Sequence, residues 1–191
     1  MRKYTTDELV AQKPTPKAFS MVKRNPIIFI LHNIRSLQNV GLFFRLADAL
    51  LIEKIYLTGY TGYPRLKDDD RPERVILHAE NEINKTAIKL VPFVPWERSE
   101  TIPNLPGYEL VGVEQTDESV DYRTPCLPAG RPTALIFGHE RIGVEDDVLE
   151  KCDKIIHIPM LGMGNSHNVA MSAAIISYHL LSKIKNGNLK P

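Results

Sequence analysis

The stretch IPMLGMGNSHNVAMSAAI, residues 158–175, leaves a β-branched strand, passes two glycines, an Asn and a Ser, and enters a helix of small residues. Glycine tolerates positive φ and lets another group approach the main chain, so Gly162 and Gly164 predict a tight fold-back or a ligand held against the backbone. Working outward, KIIHI (154–158) reads as the strand that feeds this loop. The residues beyond it, with Val169, Ala173, Ile176, Leu180 and Ile184 at helical spacing, read as a helix over about 168–185.

The same alternation runs back through the chain. IIFIL (27–31), KIYLT (54–58), YELVGVE (108–114) and TALIF (133–137) read as strands; QNVGLFFRLADALL (38–51) and EDDVLEKC (145–152) read as helices. The polar, Pro- and Gly-rich 59–72 segment reads as a loop, and NKTAIKL with VPFVPWER as short irregular elements. Strands alternating with helices predict an α/β domain with a mainly parallel sheet and helices on both faces. Ligands of such sheets sit outside the carboxyl ends of the strands. Three loops then come into view: NIRSLQNVG, GHERIG and PMLGMGNSHN.

With 191 residues and 43% hydrophobic content, the chain can bury a core as one domain. No run of about 18 apolar residues suggests a membrane span, and the amino-terminal residues lack a signal peptide's apolar core. The expectation is a soluble cytoplasmic protein with no membrane partner. Cys126 and Cys152 are too few and too far apart for a disulfide framework or a zinc cluster, and read as reduced core thiols. The net charge of +1 hides an asymmetry: residues 1–26 carry six bases (Arg2, Lys3, Lys13, Lys17, Lys23, Arg24) against Asp7 and Glu8. That segment is either a basic arm that neutralises phosphates or a solvated tail.

Known nucleotide motifs fail. GMGNSH has His167 where G-x-G-x-x-G requires a small residue, and no P-loop sequence occurs. GHERIG lacks the second His that a zinc-binding helix needs, so no metal site is expected.

The three loops instead resemble one family. FILHNIRSLQNVGLFFRLADAL resembles the first motif of the SpoU/TrmH branch of the SPOUT superfamily; ALIFGHERIGV resembles the second and IPMLGMGNSHNVAMSAAI the third, in the family's order over residues 27–182. INKTAIKLVPFVPWE resembles the family's middle region. The resemblance implies a deep trefoil knot near the carboxyl terminus, with residues 1–26 as an arm, 27–185 as the knotted domain and 186–191 as a tail. It implies a homodimer that uses S-adenosylmethionine to methylate an RNA ribose 2′-hydroxyl, tRNA being favoured over rRNA because no sizeable extra RNA-binding domain is present. No DNA partner is expected. The alternatives are methylation of another RNA atom on the same scaffold, or a catalytically silent RNA-binding module.

By the same resemblance, Glu114, Gln115, Gly138, Ile158, Met160, Leu161, Ser166, His167 and Asn168 would form the cofactor site, Gly138, Gly162 and Gly164 serving close backbone packing and approach of the cofactor. Asn39, Arg45, Glu140, Ser166 and Asn168 would serve catalysis. The family's Arg has been assigned as a general base, but a guanidinium with a pKa above about 12 is a poor proton acceptor. Phosphate clamping and electrostatic stabilisation suit Arg45 better. Each residue also has a plain reading: Asn39 as a cap of helix 40–51, Arg45 as an ion pair with Asp48, Glu140 as a turn carboxylate, Ser166 and Asn168 as caps of the last helix. Glu140 is also read as holding the second loop or pairing with Arg45. Two departures stand out. His167 replaces a usual Leu, and Ser-Leu-Gln precedes Asn39 where Asp-Pro is frequent.

Overall fold

The IIFIL run forms the centre of strand β1 (Asn25–His32), which is covered on both sides. Ile27, Phe29 and Leu31 face one apolar cluster and Ile28 and Ile30 the other. A strand buried on both faces has no need for polar alternation, which explains the unbroken apolar run. A computed structural model describes residues 1–124 and 131–184 of the chain. Cys126, the side chain of Ile184 and the tail 186–191 lie outside the described residues.

The other strands are β2 (Ile52–Thr58), β3 (Trp96–Ser99), β4 (Glu109–Val113), β5 (Val120–Asp121), β6 (Thr133–Phe137) and β7 (Lys154–His157). They form one sheet in the order β3-β2-β1-β6-β4-β7-β5, and every pairing is parallel. The helices are α1 (Thr6–Ala11), α2 (Pro16–Phe19), α3 (Leu37–Ala49), α4 (Glu73–Ala87), α5 (Asp146–Leu149) and α6 (Val169–Ile184). Helices α3 and α6 cover one face, with α4 packed on α3; the one-turn α5 and the 102–110 segment cover the other. From β1 the chain steps outward through β2 to β3, then returns across the sheet to β4. That reversal leaves a crevice at the carboxyl ends of β1, β6, β4 and β7, where a ligand of a doubly wound sheet binds.

Two elements depart from the sequence reading. Residues 84–98 are not irregular: 84–87 close the 15-residue α4, and 96–99 are the edge strand β3. The apolar stripe of α4 is narrow (Ile76, Ala79, Ile83, Ala87), and two of its four members are alanines, so its period is faint. The helix stops at Ile88 and Lys89, both at positive φ (47° and 63°). The basic amino-terminal segment contains α1, with a Thr5/Glu8 capping box, and α2. Its root is fixed, because the Arg24 guanidinium donates to the carbonyls of Ile52 (3.0 Å) and Phe93 (2.6 Å). Cys152 is a half-buried free thiol that donates to the Val148 carbonyl at 3.4 Å, and burial pushes its pKa up to about 11. Among the described residues no helix is long and apolar enough to cross a membrane.

Helices α3 and α4 approach closely at Gly41, where a β-carbon would stand 2.2 Å from the Ile83 carbonyl oxygen and from Thr86 Oγ1. The Ile83 oxygen is backbone, and Thr86 Oγ1 is held by donating to the Gln38 carbonyl at 2.7 Å. Gly41→Ala would gain about 1 kcal/mol of helix propensity. Overpacking against fixed atoms costs about 1–3 kcal/mol. The expected result is a net loss of about 1 kcal/mol, read as a lower urea midpoint at unchanged slope.

Candidate active site

The site is organised by the side chain of Asn39 in the first turn of α3. It is buried, its Nδ2 donates to Glu140 Oε1 at 2.8 Å, and its Oδ1 accepts from Asn168 Nδ2 at 3.0 Å. One amide therefore joins the loop after β1 to the loops after β6 and β7. The helix cap expected of Asn39 is made instead by Ser36, whose Oγ accepts from the Asn39 amide at 3.2 Å. Glu140 does not pair with Arg45. Its carboxylate accepts the backbone amides of Arg35 and Ser36, each at 3.0 Å, besides the Asn39 side chain. Burial pushes its pKa upward, but those hydrogen bonds outweigh it and hold the carboxyl below its ordinary value. Asn168 does cap α6: its Oδ1 accepts from the amides of Ala170 (2.9 Å) and Met171 (3.3 Å).

Beside this bridge lies a cleft of about 510 Å³ at the carboxyl ends of β4, β6 and β7. Seven predicted residues line it: Glu114, Gln115, Gly138, Ile158, Ser166, His167 and Asn168, together with Glu140. Val113, Phe137, Ile142 and Val169 add apolar wall, and His139, Arg141 and His157 add polar groups. His139, Arg141 and Ile142 were within reach of the sequence, since they fill the variable positions of GHERIG, but residue type alone gave them no role. Gln115 Nε2 donates to the Asn165 carbonyl at 2.8 Å, tying the β4 loop to the loop after β7. Glu114 is occupied structurally: its oxygens accept the amides of Gln115 (2.8 Å) and Val144 (2.9 Å).

Other predicted residues fall elsewhere. Met160 and Leu161 do not line the cleft, and Leu161 is 97% exposed. Ser166 is exposed on the cleft wall and does not cap α6. Arg45 is exposed on α3 and forms neither a hydrogen bond nor an ion pair among the described residues; Asp48 instead feels Lys13 and Arg24. The apolar face of α3 is spent on the core and on α4.

The glycines divide similarly. At Gly138 a β-carbon would stand 2.3 Å from the carbonyl carbon and oxygen of Gly143, inside the tight 138–144 turn, as expected of close backbone packing. At Gly162 it would meet nothing within 4 Å, and at Gly164 only the Met160 methyl at 3.5 Å. Neither has positive φ. Neither glycine is therefore required here by positive φ or by close packing against the chain, and the loop is tied to its surroundings by Gln115 and Asn168.

A cleft where three β-strand ends meet, lined by a few apolar side chains among many polar ones, defines a small-molecule site on a doubly wound α/β scaffold. Residues 26–178 match the sequence profile of the SpoU rRNA Methylase family, and the chain belongs to that family. A Staphylococcus saprophyticus protein assigned to the TrmH family of tRNA/rRNA methyltransferases is 29% identical over 183 residues, covering 93% of this chain and 64% of that one. The tRNA (guanosine(18)-2′-O)-methyltransferase of Borreliella burgdorferi is 24% identical over 190 residues, covering 99% of this chain and 80% of that one. This chain thus spans 64% and 58% of the lengths of two Staphylococcus relatives. Among solved structures, the TrmH/SpoU tRNA modifying enzyme of A. aeolicus shares the fold with a TM-score of 0.65 at 24% identity, over 90% of this chain and 83% of that one. An AdoMet-bound rRNA methyltransferase from Sinorhizobium meliloti has a TM-score of 0.65 at 22% identity, over 84% and 57%.

Because the folded Glu140 pKa is depressed, its contribution to stability is present above the unfolded value and is lost as pH falls through the folded one. Glu140→Gln should cost about 2 kcal/mol near neutral pH, since one acceptor of charged hydrogen bonds is replaced. The difference from wild type should shrink as pH drops below about 4. Urea unfolding of both proteins across pH 3–7 measures it.

Proposed function

We propose that this chain is an S-adenosylmethionine-dependent RNA methyltransferase that modifies a ribose 2′-hydroxyl, with tRNA favoured as substrate over rRNA. The observation that carries the reading is the Asn39 bridge, which holds three family motifs around one cleft. The cleft suits the cofactor: its volume lies in the range of small-molecule sites, about 300–1,000 Å³. Val113, Ile142 and Ile158 offer an apolar bed, while Gln115, Ser166 and His167 offer polar contacts. When bound, S-adenosylmethionine supplies an electrophilic methyl group on a sulfonium.

The chain's own residues have the remaining tasks. Asn39 and Glu140 fix the two loops that frame the reacting centre, and Asn168 orients the start of α6 beside it. Ser166, exposed on the wall of the cleft, would contact the ribose. Gln115, Ser166 and His167 would hold the cofactor so that its methyl group could be offered to a ribose 2′-oxygen at the mouth of the cleft. Arg45 acts as an electrostatic stabiliser rather than a base.

We further infer a homodimer with composite sites, built on the knotted chain path of the family. Arg45 lies six residues beyond Asn39, about 9 Å along α3 and on another face, so its own protomer's cleft is a poor match for its guanidinium. Helix α6 is apolar nearly all round, yet Met171 is 56% and Tyr178 60% exposed, which supports a second subunit against it.

Methyl-labelled cofactor should transfer label to RNA and not to the same RNA carrying 2′-deoxyribose at the target, because the 2′-hydroxyl is the nucleophile. Equal labelling of both would exclude ribose methylation, and absence of cofactor binding in a calorimetric titration would leave a silent RNA-binding module.

Arg45→Ala and Asn168→Ala should each abolish most transfer. Mixed in equal amounts under subunit exchange, they should recover about a quarter of wild-type activity, since about half the dimers are mixed and each carries one intact site of two. Recovery near zero with exchange confirmed would place both residues in one subunit's site.

A further inference from the structure

A second cleft of about 340 Å³ opens next to the first, lined by Arg35, Ser36, His139, Glu140 and Arg141. His139, Glu140 and Arg141 line both, so the two clefts share a wall. Arg35 and Arg141 are exposed, and among the described residues neither guanidinium has a hydrogen-bond or ion-pair partner. Their backbone amides, in contrast, are engaged: Arg35 donates to Glu140 Oε2 and Arg141 to His139 Nδ1. The main chain at both arginines is therefore fixed while their charged ends are free.

The third polar group has one tautomer in its neutral form. His139 Nδ1 accepts the amides of Arg141 (2.9 Å) and Ile142 (3.3 Å), so the neutral ring carries its proton on Nε2 and can offer only a donor there. Glu140, the one acid in the cleft, has both oxygens engaged by Arg35, Ser36 and Asn39. The cleft is thus bordered by two arginines whose guanidinium groups are unpaired among the described residues and by an imidazole, with a single anion already committed to the fold. That set recognises a phosphodiester, which arginine binds with paired donors.

We propose that Arg35 and Arg141 clamp a backbone phosphate of the RNA beside the target nucleotide, with His139 as an auxiliary donor, so that the ribose is presented to the neighbouring cofactor cleft. This rests on the reading of RNA as substrate. The clamp is a positioning device, distinct from the role of Arg45, and places the strand across the rim formed by the loops after β1 and β6.

The test measures binding of fluorescently labelled unfractionated tRNA by anisotropy from 0.05 to 0.3 M KCl, with S-adenosylmethionine affinity measured by calorimetry in parallel. The proteins are wild type, Arg35→Ala, Arg141→Ala, the double variant, Arg35→Lys, Arg141→Lys and Lys151→Ala. Lys151 lies on α5's side of the sheet in an exposed pair with Asp147 and serves as the control for lost charge. Each Arg→Ala change should weaken tRNA binding about five- to tenfold at 0.1 M salt and reduce the log–log salt slope by about 1. Cofactor affinity should stay within about twofold in Arg35→Ala, because Arg35 lies outside the cofactor cleft, and should fall less than tRNA affinity in Arg141→Ala, because Arg141 sits on the shared wall. Lysine should restore the slope with only part of the affinity. Lys151→Ala should match wild type.

Unchanged salt slopes in both alanine variants would overturn the clamp even if wild type transfers methyl groups. Loss of cofactor affinity with tRNA binding intact would also overturn it, assigning the arginines to the cofactor's carboxylate. If the slopes fall as expected but wild type transfers no methyl, the clamp stands and the methyltransferase reading fails. If wild type does not bind tRNA, the clamp falls.

Discussion

The site depends on one buried amide. Asn39 donates to Glu140 with its nitrogen and accepts from Asn168 with its oxygen, so a single side chain satisfies groups from two loops that are 28 residues apart in sequence. A buried polar network of this kind is stiff only when every member is satisfied. Here the remaining capacity is used: Glu140 takes two further backbone amides, and Asn168 caps α6. Removing the amide would take one of three donors from the Glu140 carboxylate on one side and loosen the helix start on the other.

The sheet makes that arrangement possible. Parallel strands send all their carboxyl ends to one edge, and the return from β3 to β4 gathers the ends of β1, β6 and β4 with β7 beside them. Close backbone packing then fixes the loops. The 138–144 turn is closed by the paired His139 and Gly143 amides and carbonyls, and Glu114 presses against Gly143, where a β-carbon would stand 2.0 Å from its Oε2. The conformation there also requires φ of 74°, which explains glycine at 143 independently of any ligand.

The two faces of the sheet are unequally covered, and function sits on the better covered side. Helices α3 and α6 pack against the larger cluster, α3 carrying Asn39 and α6 being capped by Asn168. Helix α3 thus anchors the polar bridge, while the residues open to solvent, Ser166, Arg35 and Arg141, lie on loops or turns. Such a division leaves contact groups adjustable around a fixed frame.

The sequence by itself determined the strand and helix alternation wherever the apolar pattern was dense, as in β1, β6 and α6, because burial on both faces or around a helix leaves a continuous signal. It also determined the family, since the three motifs keep their order. Helix α4 escaped because alanines carry half its buried stripe, and β3 because a four-residue edge strand has almost no period to read. The cleft's residues were largely legible as a set, but their partners were not. Only the tertiary structure decided that Ser36 rather than Asn39 caps α3, that Glu140 holds the first loop instead of meeting Arg45, and that Met160 and Leu161 stand outside the cleft. Likewise only the fold separates Gly138, pressed against Gly143, from Gly162, which has nothing beside it. The reason is physical: a residue type fixes which bonds a side chain can make, whereas the partner is set by contacts across 100 or more residues of chain, such as Asn39 to Glu140.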